Sequence, residues 1–331
     1  MKEQAKKTFS LIGKSDKIGL IIAFVVMVAI FQALNHNYVT ADNAINILIS
    51  MSIMGLVAIG ETYLMIGGVI DLSPGSVAAF SGVLAALLLK LGWPTAIVII
   101  AVIAVGSLVG VINAFFLNKL KLGFFITTLG TMSIFRGLAY IICGGKAIFI
   151  TNQNFIGIGI LRIFGIPLPA IIFLILMIVF GFILGNTRFG RSIFMMGGNP
   201  TAAFLAGINQ ERLKTILFML SSSLAAFGGT ILASRMNSGQ PMASVGLEFD
   251  AITGAVLGGV AMSGGIGSIS GCLIGLFIMQ GFNNGLQILN VQSFWQQVCK
   301  GLLLFAALTF DYLRKVQREK SLRDKTMREK A

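Results

Sequence analysis

Apolar runs of helical length, separated by short polar segments, recur from one end of the chain to the other. A helix needs about 20 mostly apolar residues to cross the hydrocarbon core of a bilayer. Ten stretches meet or approach that length: 18–34, 44–66, 76–91, 95–117, 122–142, 167–185, 213–235, 251–263, 269–289 and 293–312. The third and eighth are short and glycine-rich, the pattern of a re-entrant or broken span. The longest stretches outside them, 143–166, 186–212, 236–250 and the tail 313–331, are too short for an enzyme domain of about 100 residues. The expected fold is an all-α, polytopic transmembrane helical bundle of about ten spans. It comprises an N-terminal tail (1–17), a transmembrane domain (18–312) containing the loop 186–212, and a basic C-terminal tail (313–331). Gly67-Gly68-Val69 with Gly75-Ser76-Val77, and Gly258-Gly259-Val260 with Gly267-Ser268-Ile269, form two similar hairpins between spans. Read as an internal repeat, they imply two related halves around a central path.

Composition supports this class. Of 331 residues 56% are hydrophobic and 11% charged, with a mean hydropathy of +0.90, where soluble domains carry about 25% charged residues. The 25 Lys and Arg against 12 Asp and Glu give a net charge of +13. Apolar content this high excludes a disordered basic tail, and charge this sparse excludes a soluble nucleic-acid binder. With the N-terminus in the cytoplasm and alternating spans, cytoplasmic segments hold 19 of the 25 cations, outer loops hold Lys90, Lys146, Arg162 and Arg235, and Arg136 and Lys300 fall within spans. That asymmetry predicts both termini in the cytoplasm; an eleventh span would put the eight tail cations outside. The cytoplasmic segments also hold six acids and so carry the whole net charge. The excess is an orientation signal facing anionic lipid.

Candidate chemistry is sparse. Cys143, Cys272 and Cys299 have no metal-like spacing, and His36 is the lone histidine, so no metal site is expected. A phosphate-binding loop, an H-E-x-x-H pair and a G-x-S-x-G elbow are all missing from the sequence, and no catalytic residue is expected. Transport by such a chain draws on an ion gradient or on an ATPase carried by another chain. The first apolar run lacks a small-residue cleavage site and is expected to be retained.

Four segments stand out. Between the second and third spans, Asp71 and Ser73 sit at a Pro-Gly break, where Asp71 either caps the next helix or lines a solute path. Just upstream, Glu61 lies within a span, as a functional carboxylate or as a partner for Arg136. Thr127, Thr128 and Thr131 lie within one stretch of the fifth span, where hydroxyls back-bond to the helix or line a path for a hydroxylated solute. The loop 186–212 carries Arg188, Gly190 and Arg191, then Gly197-Gly198-Asn199 and a short helix with Asn199 as N-cap, Pro200 in its first position and Gly207 at its end. Ala202, Ala203 and Ala206 give that helix a small-residue face. Glu248 and Asp250 are expected on the outer side, meeting a soluble partner or solvating a loop. Asn283 and Asn284 lie near an outer helix end.

Together these segments resemble the permease subunits of bacterial ABC importers for pentoses and related small sugars, the family of the ribose permease. The resemblance runs from about Asn37 to Asp311 and rests on five motifs in order. These are the Ile-Asp-Leu-Ser-Pro-Gly-Ser hairpin at 70–76, Thr128-Leu129 with Arg136-Gly137, the Thr187–Arg191 and Gly197–Ile208 loop, Glu248-Phe249-Asp250-Ala251-Ile252, and Ser263–Gly267 with Asn283–Leu286. The sequence departs from the pattern at Ala261-Met262, where a hydroxyl residue is usual, and at Thr253 in an otherwise apolar stretch. The resemblance implies a multi-pass inner-membrane transport subunit rather than an enzyme. Its partners would be a second permease chain, identical or related, ATPase subunits docking at about Gly197–Gly207, and an extracytoplasmic sugar-binding protein on the outer loops near Glu248 and Asp250. ATP and magnesium would belong to the ATPase, with no cofactor on this chain. Glu61, Asp71, Ser73, Thr127, Thr128, Thr131, Arg136, Asn283 and Asn284 become candidates for the substrate path. Competing readings are an ABC permease for branched-chain amino acids or a signalling furanose, and an ion-coupled transporter using Glu61 and Asp71.

Overall fold

The computed structural model describes residues 2–330, and side-chain surroundings for residues 18–313, 315 and 316. In chain order its helices are α1 (Lys2–Leu34), α2 (Ala41–Ile66), α3 (Pro74–Lys90), α4 (Thr95–Lys119), α5 (Phe124–Cys143), α6 (Gln153–Ile160), α7 (Leu168–Asn186), α8 (Arg188–Gly198), α9 (Pro200–Leu205), α10 (Gln210–Met236), α11 (Leu247–Leu257), α12 (Ile269–Ile288) and α13 (Ser293–Lys330). Four two-residue strands, β1 (Ile148–Phe149), β2 (Arg162–Ile163), β3 (Ile166–Pro167) and β4 (Ser238–Gly239), pair antiparallel as β1 with β4 and β2 with β3. They tie connecting segments together at one end of the bundle, called here the hairpin end. The opposite end carries α8 and α9.

Among the described residues, six helices, α2, α4, α5, α7, α10 and α12, are long and apolar enough to cross a membrane, with shorter apolar helices at Ile18–Leu34 and Pro74–Lys90. They divide by burial. The apolar windows of α2, α10 and α12 are 61–67% buried, those of α4, α5 and α7 only 22–28%. An inner group is therefore wrapped by helices with long exposed apolar faces, as a lipid-embedded chain requires. Close backbone approach holds the inner group: Gly106 and Gly110 of α4 face Ala226 and Phe218 of α10, leaving no room for larger side chains.

The expected eighth span, 251–263, is broken, as its shortness and glycines suggested. The helix there is α11, eleven residues from Leu247 to Leu257 and about 16 Å long at 1.5 Å per residue, roughly half of what a crossing needs. Gly258 ends it, and 258–268 is irregular backbone. The chain before α11 is irregular too, from Gln240 to Gly246, and runs inward beside α5 to where α3 begins.

The two glycine hairpins expected from sequence have one geometry. Gly68 and Gly259 take left-handed φ values of 82° and 85°. Gly68 N–H donates to Met65 carbonyl and Val69 N–H to Leu64 carbonyl; Gly259 N–H donates to Val256 carbonyl and Val260 N–H to Ala255 carbonyl. The same helix stop, with its buried valine, ends α2 and α11. Both stops precede a helix that runs back toward the hairpin end, so α2–α3 and α11–α12 are structural repeats of equal direction.

Candidate functional site

Two features stand out: a buried polar centre and a capped helix at the α9 end. The centre forms where α3 starts inside the bundle. Glu61 of α2 and Asp71 and Ser73 of the hairpin are fully buried. Asp71 N–H faces Glu61 Oε2 at 3.4 Å, and Asp71 Oδ1 accepts from Ser73 N–H at 2.8 Å and Ser73 Oγ at 2.6 Å. Asn113 of α4 donates through Nδ2 to Ser73 Oγ at 3.3 Å and accepts at Oδ1 from Thr131 of α5 at 2.5 Å. A hydrogen-bonded chain thus links α2, the hairpin, α4 and α5 across a buried region.

Glu248, in the first turn of α11, reaches the same region, with its carboxylate against Gly75 at the start of α3. Glu61 Oε1, Asp71 Oδ2, Glu248 Oε2 and the hydroxyls of Thr127, Ser221 and Ser222 are buried without a hydrogen-bond partner among the described residues. Buried polar atoms left unpaired are costly. Glu61, Asp71, Glu248 and Ser221 gather where the N-termini of two interrupted helices, α3 and α11, meet. Interrupted helices with inward N-termini are a recurring way to build a solute site inside a membrane.

At the α9 end, Asn199 serves two helices. Its N–H donates to Met195 carbonyl at 3.0 Å, closing α8, and its Oδ1 accepts from Ala202 N–H at 3.0 Å, opening α9. Ile193 and Met196 of α8 and Ala203 of α9 are buried against the bundle. Phe204 and Leu205 are 71% and 80% exposed. A groove of about 770 Å³ runs beside them, lined by residues that include Asn118, Lys121, Phe204 and Glu211.

Residues 43–308 match the family described as branched-chain amino acid transport system / permease component. The chain belongs to this permease family. It is 41% identical over 314 residues to the L-arabinose transport system permease protein AraH of Escherichia coli, covering 95% of this chain and 96% of that protein. The ribose import permease protein RbsC of Bacillus subtilis is 38% identical over 301 residues, 90% of this chain and 94% of that one. The RbsC of Haemophilus influenzae is 37% identical over 294 residues, 88% and 91% of the two chains. No solved structure matches. A permease of this family with six or more apolar helices is a multi-pass transport protein of the bacterial cytoplasmic membrane, not an enzyme.

With the permease fold in view, the expected site residues sort themselves. Glu61, Asp71, Ser73 and Thr131 come together in the polar centre. Thr127 and Thr128 are buried beside it, with Thr128 back-bonded to Phe124 carbonyl at 2.9 Å. Of the two readings of Glu61, the pair with Arg136 does not form. Arg136 Nη1 donates to the carbonyls of Pro241 and Ala243 at 2.6 and 2.7 Å, because the inward-running segment before α11 brings those carbonyls to it. The same path corrects Glu248 as a surface contact. Glu248 is buried, and Asp250 binds Lys300 of α13 at 2.7 Å. Asn283 and Asn284 are buried; Asn284 lies apart from the centre in a side-chain pair with Asn43, and Asn283 Oδ1 has no hydrogen-bond partner among the described residues. Arg188, Arg191, Ala202, Ala206 and Gly207 lie exposed at the α9 end, whereas Gly190 and Ala203 are buried.

Sequence reasoning missed Asn113, Ser221, Phe204 and Leu205. Asn113 was legible as a lone amide within an apolar span. Phe204 and Leu205 carried a signal too, as apolar residues in a polar loop.

Proposed function

We propose that this chain is the membrane-spanning permease subunit of an ATP-driven, binding-protein-dependent importer of a small sugar, a pentose of the arabinose or ribose type. The observation that carries the reading is α9: a doubly capped helix that presents Phe204 and Leu205 to water beside an open groove. Apolar side chains held out on a loop need a covering surface, and an ATPase subunit supplies it. The α9 end then faces the cytoplasm, which agrees with both termini inside and with the cation asymmetry of the sequence. The ATPase holds ATP and magnesium. A sugar-binding protein docks at the hairpin end, and a second permease chain completes the path. The broad family description mentions branched-chain amino acids, but relatives similar over about nine tenths of the chain are named for L-arabinose and ribose. A centre built from hydroxyls, amides and carboxylates suits a polyhydroxyl solute.

The test is reconstitution in vesicles with the cognate ATPase and binding protein. Uptake of labelled L-arabinose or D-ribose that requires ATP and all three components is the expected result. Uptake driven by a proton gradient in vesicles without the ATPase overturns the reading.

A further inference from the structure

Gly197, in the last turn of α8, is packed against backbone on one side. A Cβ on Gly197 would fall inside the contact radius of the Ile66 carbonyl oxygen and 2.7 Å from the Gly265 nitrogen. That same Ile66 oxygen accepts the Gly265 N–H at 2.8 Å. One on Gly264 would lie 2.7 Å from the Gly197 carbonyl oxygen, and one on Gly68 would lie 3.6 Å from Gly197 Cα. Three segments therefore meet backbone to backbone: the end of α2, the end of α8 and the turn after α11. The turn is braced as a unit, with Ala261 N–H on Ile266 carbonyl at 3.0 Å, Gly264 N–H on Ala261 carbonyl at 3.2 Å, and Met262 N–H on Asp311 Oδ2 of α13 at 3.3 Å.

Gly197 stands three residues before Pro200, joined to α9 through Asn199. Ile66 stands at the stop of one repeat and Gly265 in the turn that follows the other. The stop of α2 leads to α3, and the stop of α11 closes the helix that carries Glu248, so both adjoin helices that border the polar centre. We propose that the Gly197–Ile66–Gly265 junction is the point at which displacement of α9 enters the membrane interior, moving both helix interruptions together. This rests on the reading of α9 as the ATPase contact. Gly197 is then a positioning residue facing the interior, distinct from the exposed α9 residues that meet the partner.

Adjacent glycines supply the test. A Cβ on Gly198 meets nothing closer than Gly265 Cα at 3.9 Å, so Gly198→Ala is tolerated while Gly197→Ala must part the junction. In the reconstituted complex, Gly197→Ala is expected to keep ATPase co-purification and basal hydrolysis but to lower sugar uptake and its stimulation of hydrolysis about tenfold, within the range for coupling residues. Gly198→Ala stays near wild type. Loss of ATPase capture in Gly197→Ala, normal uptake in it, or equal damage from both variants overturns the proposal. A wild-type complex without ATP-driven uptake instead overturns the importer reading. Should Gly197→Ala fail to fold, hydrogen exchange on the wild-type complex decides. Trapping nucleotide on the ATPase is expected to change protection at 66–71 and 261–268, and unchanged protection there overturns the junction.

Discussion

The side-chain amides of Asn43 and Asn284 donate to each other, with both N–H···O contacts at 2.8 Å. Asn43 Nδ2 also reaches Tyr38 carbonyl at 2.7 Å, and Tyr38 hydroxyl donates to Gly281 carbonyl at 2.9 Å. The segment before α2 is thereby clasped to α12. Removing either amide strands its buried partner, so Asn43→Ala or Asn284→Ala is expected to lower unfolding free energy by about 1–3 kcal/mol. The double variant should cost less than the sum, since the two act through one pair. Thermal unfolding in detergent reads both. The sugar concentration for half-maximal uptake is expected to be unchanged, and a large shift would return Asn284 to the substrate path.

Asp71 organises the hairpin by accepting two bonds from Ser73 at one oxygen. Asparagine keeps an acceptor in that place and alanine does not. Asp71→Asn is therefore expected to preserve stability within about 1 kcal/mol, whereas Asp71→Ala loses about 1–3 kcal/mol. Comparing melting and uptake for the two separates the turn from transport: a role for the charge in the path appears as a well-folded Asp71→Asn that imports poorly.

Arg136 holds the inward-running segment through two carbonyls. Arg136→Met retains much of the apolar stem and removes the donors. Charge-assisted bonds contribute about 1.5–3 kcal/mol each, so exchange of amides at 241–248 is expected to accelerate by tenfold or more, roughly what 1.4 kcal/mol produces. Unchanged exchange there would mean that neighbouring packing alone positions the segment.

Exposure divides α9 into two faces. Phe204→Ser and Leu205→Ser expose less apolar surface and break no internal packing, so the chain is expected to stay folded while ATPase capture falls sharply. Ala203 is fully buried, and Ala203→Leu overpacks the base of the helix at a cost of about 1–3 kcal/mol. Pull-down of the ATPase, with size-exclusion profiles as the folding control, checks both.

The helices were legible wherever an apolar run was long enough to span, because length and hydropathy alone decide that case. The α9 caps were legible from Asn199, Pro200 and Gly207, since capping chemistry is local. Glu248 was misplaced for an equally physical reason. A polar segment following a span reads as solvent-exposed, and nothing local in Gln240–Gly246 announces that Arg136, more than a hundred residues upstream, draws it inward. Asn113 was overlooked because one amide hardly alters the hydropathy of α4; only the fold brings it to Ser73 and Thr131. The glycine hairpins show the opposite case, in which a weak sequence repeat proved to be a repeated backbone motif.

The buried position of Glu61 sets a timetable for synthesis. Ser221, which packs beside its turn of α2, and Glu248, which shares its polar centre, follow it by 160 and 187 residues. At about 5–20 residues per second, α2 waits roughly 8–40 s after Glu61 is made before those surroundings exist. Only Asp71 and its hairpin arrive early. The polar heart of this permease is thus assembled last around a carboxylate made first, and α2 must be sheltered from lipid until α10 and α11 emerge to enclose it.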